Sequence, residues 1–349
     1  MTDKVIFSQG GILIYIGGKK VLLDPNKQTA CDMIFVSHAH TDHLHKQQGK
    51  CLVKSKTLAS METSLIAEAR GYRLSSSHTD EEEFKLIDTG HILGSKGLLV
   101  NGDDIYYTGD ISIKERAFMR PATIPQVNTL IIESTFGRPQ YVFPDLQGII
   151  HNTNEIISRM YDKGIPVLLM GYPLGKAQLL TELFRHWDPL YVHDSVYNMN
   201  CLYSKLGVPL KYAMKYSSAE EQNLLSKNKP WIMITPLFNG RNGFIKYMKK
   251  RYGVVTIGFS GWAVDSNYKF MMGLDYIFPM SDHCDYNDLV CFVRKCGPKK
   301  IYTFHGFAID FAKTLRKLGF DAEPLFEKEI IGQKIKNRSV ISLDDYIYT

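Results

Sequence analysis

The ten residues from Val36 to His45 read VSHAHTDHLH and place four histidines and one aspartate in a short stretch. Residues two positions apart in an extended loop point the same way, so His38 and His40 can bind one ion together. Asp42 and His43 follow a tight bend and can face a second ion. Imidazole with carboxylate is the ligand set that suits zinc, and an open coordination position would make the site catalytic. A histidine-rich surface loop is the alternative, which explains a lone H-x-H better than it explains the full pattern.

Two ions need more ligands than this stretch supplies. Three further candidates stand beside a glycine at the end of a predicted strand: His91 in DTGHILGS, Asp110 in YYTGDIS and His305 in YTFHGF. Each of them alone is more typical of a polar loop residue, but together they complete two coordination spheres. The first sphere is His38, His40 and His91, the second is Asp42, His43 and His305, and Asp110 is the bridge. His45 is left over and is expected to be an ordinary surface histidine.

The composition indicates a soluble globular protein of one large or two medium domains, with 349 residues, 44% hydrophobic and 22% charged. No apolar run approaches the roughly 20 residues of a membrane span, and residues 1–4 lack the features of a secretory signal. We therefore expect a cytoplasmic protein with no membrane partner.

The six cysteines form no C-x-x-C pair and are expected to be free thiols. The net charge of +6 is modest, although basic clusters such as residues 249–251 permit a polyanionic partner.

The predicted elements change character along the chain. The first third is rich in β-hairpin signals, with turns at Gly17-Gly18 and Asn101-Gly102. From about Phe143 predicted helices alternate with strands, which is typical of a unit with its own parallel sheet. After Tyr276 the motif-like residues return. The chain is therefore expected to fold as one unit interrupted by a second.

The ordered motifs resemble those of the metallo-β-lactamase fold. HAHTDH at residues 38–43, His91 in GHILGS, Asp110 in TGD and the early Asp24 in VLLDP stand in the order that this fold uses. The resemblance implies an α/β fold class with an αββα sandwich, in which Asp24 orients a metal ligand. A turn-starting aspartate before Pro25 is the alternative for Asp24.

Three later motifs narrow the resemblance to the β-CASP nucleases within that fold. LIIESTFG with Glu133, FPMSDHCD with His283 and the FHG of His305 are similar to motifs A, B and C of that family. The resemblance extends from about residue 24 to about residue 318 and implies a β-CASP α/β domain inserted into the sandwich. The expected division is 1–140 for the first part of the sandwich, 141–273 for the β-CASP domain and 274–349 for the return to the sandwich.

The same resemblance implies a metal-dependent hydrolase that cleaves phosphodiester bonds as an exonuclease or an endonuclease. Two zinc ions, with manganese as an alternative that supports activity, would activate a hydroxide that attacks phosphorus in line. His283 is the candidate general acid, and Glu133 would orient it and raise its pKa. Asp42 is a candidate catalytic residue as well as a ligand. Cys284 is not needed as a nucleophile, because the activated water already supplies one.

Three positions are candidate contacts for phosphate or nucleic acid. The glycine loop 171–175 leads into a predicted helix at Lys176 and could present backbone N–H groups and a cation. Ser260 and the amide of Gly261 could do the same. Trp262 could stack on a base, although core packing explains it better.

The substrate stays open between RNA and single-stranded DNA. His305 at motif C is typical of RNA-processing members, whereas ESTFGRPQY and SDHCDY resemble the compact prokaryotic group described as ligase-associated DNA exonucleases or RNA 3′-end-processing-factor-like proteins. RNA processing and DNA repair are thus both candidate pathways, and the assembly could be a homodimer or a complex with a ligase, a helicase or RNA-processing proteins. The rival functions are a hydrolase of small thioesters or lactones and a non-catalytic partner of an active nuclease.

Overall fold

The structure, a computed structural model, describes residues 4–8, 11–25, 27, 30–44, 56–74, 83–100 and 104–325. His45, the predicted turn at Asn101-Gly102 and the thiol of Cys51 lie outside these residues. The cysteines at positions 201, 284, 291 and 296 are free thiols as expected. No described helix is long and apolar enough to cross a membrane.

The first sheet has five strands that follow one another in chain order. The strands are β1 (Lys4–Ser8), β2 (Gly11–Ile16), β3 (Lys19–Leu23), β4 (Met33–Phe35) and β5 (Lys56–Leu58). Strands β1 to β3 pair antiparallel, and β4 and β5 continue in parallel. Gly17 and Gly18 both have positive φ, as the predicted hairpin turn requires. Helix α1 (Met61–Ala69) begins after Ser60, whose hydroxyl accepts from the Thr63 amide, and ends at Arg70.

The second sheet begins with four strands and faces the first. They are β6 (Phe84–Asp88), β7 (Lys96–Val100), β8 (Ile105–Tyr107) and β9 (Thr129–Glu133). The pairs β6–β7 and β7–β8 are antiparallel, whereas β8 and β9 are parallel. Side chains from both sheets, such as Ile14, Phe35 and Leu98, are buried in one shared core. The two sheets therefore form a sandwich.

The middle of the chain builds a separate six-stranded sheet in which every strand pair is parallel. Its elements are α2 (Leu146–Asp162), β10 (Val167–Gly171), α3 (Lys176–Leu183), β11 (Leu190–Val192), α4 (Asp194–Lys205), β12 (Met214–Lys215), α5 (Tyr216–Glu221), β13 (Ile232–Pro236), α6 (Gly243–Tyr252), β14 (Val255–Phe259), α7 (Tyr268–Met272) and β15 (Tyr276–Phe278). Strands β10 and β13 are buried along their whole length, which explains their continuous apolar sequences VLLMG and IMITP. Ile149, Ile156 and Ile157 recur at helical spacing on the buried face of α2.

The last part of the chain returns to the second sheet. It comprises α8 (Tyr286–Cys296), β16 (Lys300–Phe304), α9 (Ala308–Lys317) and β17 (Ala322–Pro324). Strand β16 inserts between β9 and β17 and completes the order β17-β16-β9-β8-β7-β6. Phe292 of α8 and Phe311 of α9 pack against Leu130 and Ile301. These two helices therefore cover the face of the second sheet that points away from the first.

The middle sheet extends beyond the boundary expected at residue 273. Strand β15 pairs with β14 in parallel, with Phe259 opposite Phe278, so the sheet runs on to Phe278. The division into 1–140, 141–273 and 274–349 remains a proposal, and we move its second boundary past Phe278.

Candidate metal centre

The predicted ligands all follow strands of the sandwich. His38 and His40 come after β4, and Asp42 and His43 occupy the 3₁₀ turn Thr41–His43. His91, Asp110 and His305 follow β6, β8 and β16. Because β8, β9 and β16 run parallel, their carboxyl ends lie at one edge of the sheet. The fold therefore brings distant parts of the sequence to one point.

Three imidazole nitrogens meet in the first predicted sphere. His40 Nδ1 lies 3.0 Å from His38 Nε2 and 3.1 Å from His91 Nε2. Asp110 Oδ2 lies 3.4 Å from His38 Nε2 and 3.5 Å from His91 Nε2. Nitrogens bound about 2 Å from one tetrahedral zinc ion stand roughly 3.3 Å apart, so this group has the spacing of a metal site.

Asp110 also belongs to a second group, with His43 and His305, whose ligand atoms all lie within 4.8 Å of one another. Its Oδ2 is 3.5 Å from His43 Nε2. Asp110 is thus placed as a bridging ligand would be. Asp42 lies at the edge of this group, with Oδ2 3.5 Å from His43 Nε2 and 45% of its side chain exposed.

In each of four histidine rings, the outer nitrogen, which points away from the ligand group, contacts another protein group. The inner nitrogen therefore faces the other ligands. The outer contacts are His38 Nδ1 with Ser37 Oγ (2.9 Å), His40 Nε2 with Leu174 O (3.3 Å), His43 Nδ1 with Asp24 Oδ2 (2.8 Å) and His91 Nδ1 with Asp282 O (2.9 Å). A fixed outer contact of this kind selects the tautomer that leaves the inner lone pair free for a metal.

The electrostatics of the group also fit metal ions. Burial lowers the pKa of His38 and of His91, which keeps both rings in the neutral form that binds metal. Burial lowers the pKa of His43 too, but Asp110, Asp42 and Asp24 outweigh it and raise that pKa well above its usual value. Among the described residues, His43 Nε2 and Asp110 Oδ1 are buried without a hydrogen-bond partner. Buried polar atoms rarely lack one, and a cation here would satisfy both.

Asp24 accepts hydrogen bonds from three sides. Its carboxylate receives the Ser37 amide at 2.6 Å, the Ser37 hydroxyl at 2.5 Å and the Tyr107 hydroxyl at 2.8 Å, besides its contact with His43. The side chain is therefore fixed behind a predicted ligand, as the sequence resemblance implies. Tyr107 was missed from sequence, because an apolar strand residue gives no sign that its hydroxyl is used.

The buried Glu133 and the partly buried His283 form a pair beside the predicted ligands. His283 Nδ1 lies 3.1 Å and 3.2 Å from the two carboxylate oxygens of Glu133. It also lies 4.0 Å from Asp110 Oδ2. Burial lowers the pKa of His283, but Glu133 and then Asp110 outweigh it and raise that pKa to about 9. This raised pKa favours the protonated ring, which places His283 as a proton donor next to the predicted ligands.

A cleft opens over these residues, lined by the sandwich on one side and the middle sheet on the other. Its lining includes His40, Asp42, Arg70, Asp110, Tyr172, Lys176, Ser260, Gly261, Trp262 and His283. The carboxyl ends of β10 and β14 supply the wall from the middle sheet, where ligands of parallel sheets commonly bind.

Lys176 differs from the expectation that it contacts phosphate. Its side chain is 1% exposed, and its ammonium donates to Asp282 Oδ1 at 3.0 Å and to the Met280 carbonyl at 3.1 Å. Two of its three N–H donors are thus used inside the protein, and its charge is paired with that of Asp282. We therefore place Lys176 among the residues that join the two sides of the cleft.

Ser260, Gly261 and Trp262 line the cleft next to His283. The Ser260 hydroxyl accepts from the Trp262 amide, and a Cβ at Gly261 would clash with the ring of Phe136. The Trp262 ring lies 4.8 Å from that of Phe136 and 5.6 Å from that of Tyr141. Packing in an aromatic cluster, the preferred explanation from sequence, is thus what the structure shows for Trp262.

Arg116 and Asp282 are buried residues that sequence reasoning missed. The Arg116 guanidinium donates to the carbonyls of Gly90, His91 and Ser281. It thereby connects the loop of His91 to the loop of His283. Asp282 stands next to His283 in the SDHCD motif, which was the available signal; a lone arginine in a polar loop offers none.

No family model matches the chain. It is 32% identical over 331 residues to a probable DNA ligase of Opitutus terrae, covering 92% of this chain and 31% of that protein. It is 24% identical over 361 residues to an RNase J-like protein of Methanocaldococcus jannaschii, covering 82% of this chain and 86% of that protein. It is 24% identical over 298 residues to the transcription termination factor FttA of the same organism, covering 67% of this chain and 47% of that protein. The chain thus spans less than a third of the first of these relatives.

A solved structure with a similar fold is a protein of unknown function from Enterococcus faecalis. The TM-score is 0.55 at 13% sequence identity, and the match covers 86% of this chain and 92% of that one. At this identity the likeness concerns the fold alone.

Proposed function

Since the chain belongs to the β-CASP nucleases of the metallo-β-lactamase fold, we propose that it hydrolyses phosphodiester bonds of nucleic acid. One observation carries the proposal: the buried Glu133 carboxylate holds the His283 ring beside Asp110, which both predicted coordination spheres share. A departing nucleotide oxygen needs a proton donor at this position, whereas the thiolate of a small thioester leaves without one.

We propose two zinc ions as the resident cofactor, with manganese able to support activity. His38, His40 and His91 would hold one ion, His43, His305 and Asp42 the other, and Asp110 both. Metal ions so held lower the pKa of a water molecule and offset the charge on the phosphoryl oxygens. The nitrogen and oxygen donors and the neutral rings of His38 and His91 support this assignment.

The chain's own residues supply the proton and the alignment. His283 Nδ1 is held by Glu133, which leaves Nε2 of the charged ring as the donor to the leaving oxygen. Asp24 keeps the outer nitrogen of His43 occupied, so the ring presents Nε2 to the ligand group. Ser260 and Gly261, which line the cleft beside His283, are the proposed contacts for the substrate phosphate.

The substrate is proposed to be RNA or single-stranded DNA. The similarity to an RNase J-like protein favours RNA, and that to a probable DNA ligase favours DNA. Product mapping on matched RNA and DNA oligonucleotides with 5′-phosphate and 5′-hydroxyl ends separates the two, and it also reads the polarity and the mode of cutting. Zinc-loaded protein that leaves all four oligonucleotides intact, with and without manganese, while hydrolysing a thioester or a lactone, would establish the rival function.

The oligomeric state and the protein partners are a separate question. We propose that the protein acts as a homodimer or in a complex with a ligase, a helicase or RNA-processing proteins. Light scattering on the purified chain decides whether it pairs with itself.

A further inference from the structure

Arg70 lies at the carboxyl end of α1 and lines the cleft beside Thr41 and Asp42. One nitrogen of its guanidinium donates to the carbonyl of Ala39, which stands between His38 and His40. In the part of the chain that the structure describes, this guanidinium forms no direct ion pair, although the nearby Asp42 carboxylate acts to raise its pKa. The group therefore adjoins the metal ligands without belonging to them.

This arrangement leaves the positive charge of the Arg70 guanidinium without a direct ion pair. Arg70 is only partly exposed, and burial lowers its pKa, so its surroundings oppose the charge. Arginine nevertheless stays charged in proteins. A partly desolvated guanidinium with donors to spare is suited to bind an anion that offers several oxygens in one plane or on one face.

The second cation of the cleft shows the contrast. Lys176 is more deeply buried than Arg70, but Asp282 neutralises it at 3.0 Å. Of these two cations, Arg70 is thus the one that the described residues leave without a direct ion pair.

We propose that Arg70 binds the phosphate that neighbours the scissile phosphate in a polynucleotide, which rests on the proposed nuclease function. A polynucleotide that places one phosphate at the metal ligands necessarily carries another on each side. The guanidinium, next to the loop of His38 and His40, is placed to take one of these neighbours. A thioester or a lactone has no such anion. Arg70 would therefore select chains of nucleotides over small esters.

The test compares Arg70→Ala with Arg73→Ala, a matched control. Arg73 is exposed, lies three residues further on and does not line the cleft. Two substrates are used: a single-stranded oligonucleotide and bis(4-nitrophenyl) phosphate, which has one phosphodiester and no neighbouring phosphate. Arg70→Ala should lower kcat/KM on the oligonucleotide at least about tenfold, mainly through KM, with a much smaller loss on the small diester. Arg73→Ala should stay within about twofold of wild type on both.

Salt dependence and a modified substrate identify the contact. Removing one phosphate contact to a single strand should reduce the slope of log affinity against log salt by roughly 0.7. A methylphosphonate that removes the charge of the correct neighbouring phosphate should weaken binding to wild type, but should weaken binding to Arg70→Ala little further. Arg70→Lys should recover part of the affinity, because it restores the charge without the paired donors.

Four results would overturn the proposal. Equal losses on both substrates, or a loss of zinc in Arg70→Ala, would mean that the residue acts through Ala39 on the metal loop. An equal loss in Arg73→Ala would mean that any nearby charge serves. Unchanged oligonucleotide affinity in Arg70→Ala, measured by fluorescence anisotropy, would exclude the contact even if wild type proved unable to cleave, so this failure is distinct from a failure of the nuclease proposal.

Discussion

His283 can be separated from the metal ligands by experiment, because it contacts Asp110 and Glu133 but already uses Nδ1 for Glu133. His283→Ala should keep its zinc while activity falls by about 10²–10⁴, the usual contribution of a positioned acid. Asp110→Ala should lose zinc and activity together, since both candidate metal groups contain Asp110. Metal analysis beside single-turnover cleavage is the measurement.

The matched control for His283→Ala is His151→Ala. His151 is an exposed histidine on α2, 73% exposed and paired only with Glu155, so its loss should leave both zinc and cleavage unchanged. Zinc loss in His283→Ala would reassign that residue as a ligand.

At the residue scale, the sequence predicted the side chains that recur in a motif. The motif H-x-H-x-D-H predicts ligands through its local spacing. The structure brings its three histidines close to His91 and Asp110. The roles of Tyr107 and Arg116 depend on contacts between distant loops, which no local pattern encodes. The glycine loop before Lys176 predicts a phosphate contact, and no local pattern reveals the partner of Lys176, Asp282, which is 106 positions away in the sequence.

At the level of elements, one buried ion pair joins the two sides of the cleft. Lys176 opens α3 of the middle sheet, and Asp282 precedes α8 of the sandwich; their side chains are 1% and 4% exposed. Breaking a buried pair by removing one partner costs about 3–5 kcal/mol, because the other charge is left uncompensated.

Lys176→Met should therefore lower the free energy of unfolding by about 3–5 kcal/mol in urea titrations. The double variant Lys176→Met/Asp282→Asn should recover much of that loss, since neither charge remains buried alone. A single variant that loses less than about 1 kcal/mol would show that water reaches the pair.

The turn that carries His305 is a second element with a testable constraint. His305 and Gly306 have φ of 57° and 49°, and the Ser134 hydroxyl lies 2.7 Å from the carbonyls of both Phe304 and His305. A Cβ at Gly306 would clash with the Thr135 backbone, so the turn tolerates only glycine there. A shift of this turn would move a predicted ligand.

Gly306→Ala should lower both the stability and the zinc content. Its control is Gly297→Ala at the end of α8, where φ is also positive, at 62°, but nothing lies within 4 Å of the added carbon. Gly297→Ala should lower the free energy of unfolding by about 1 kcal/mol, which is the cost of positive φ alone, and should keep its zinc. Equal zinc contents in the two variants would contradict the constraint on His305.

Elements with strong patterns were predictable, and their ends were not. The alternation of helices and strands after about residue 143 predicts a parallel sheet, and that sheet is present. Strand β15 has only three residues and follows a short helix. No local sequence pattern therefore predicts that it pairs with β14.

At the scale of the whole molecule, the predicted fold class is confirmed: an α/β chain with a metallo-β-lactamase sandwich and an inserted β-CASP unit. The sandwich and the middle sheet each have apolar cores, a further apolar cluster joins residues of both, and none of these clusters contains the candidate ligands. The metal ions should therefore add stability without being required for folding.

Chelation should accordingly abolish activity while the protein stays folded. The Tm should fall by several degrees, because ions that bind only the folded state stabilise it by mass action, and readdition of zinc should restore both Tm and activity. Circular dichroism of the chelated protein is the measurement; loss of its helical signal at 25 °C would show that folding depends on the metal.

The contacts behind His40 and His91 bear on how the molecule could move. The carbonyl of Leu174, on the middle-sheet side, contacts His40, and that of Asp282, whose carboxylate is anchored to α3, accepts from His91. A hinge motion that swung the middle sheet outward would thus release two metal ligands as it admitted substrate. With the proposed ions bound, wide opening of the cleft and retention of metal would therefore oppose each other.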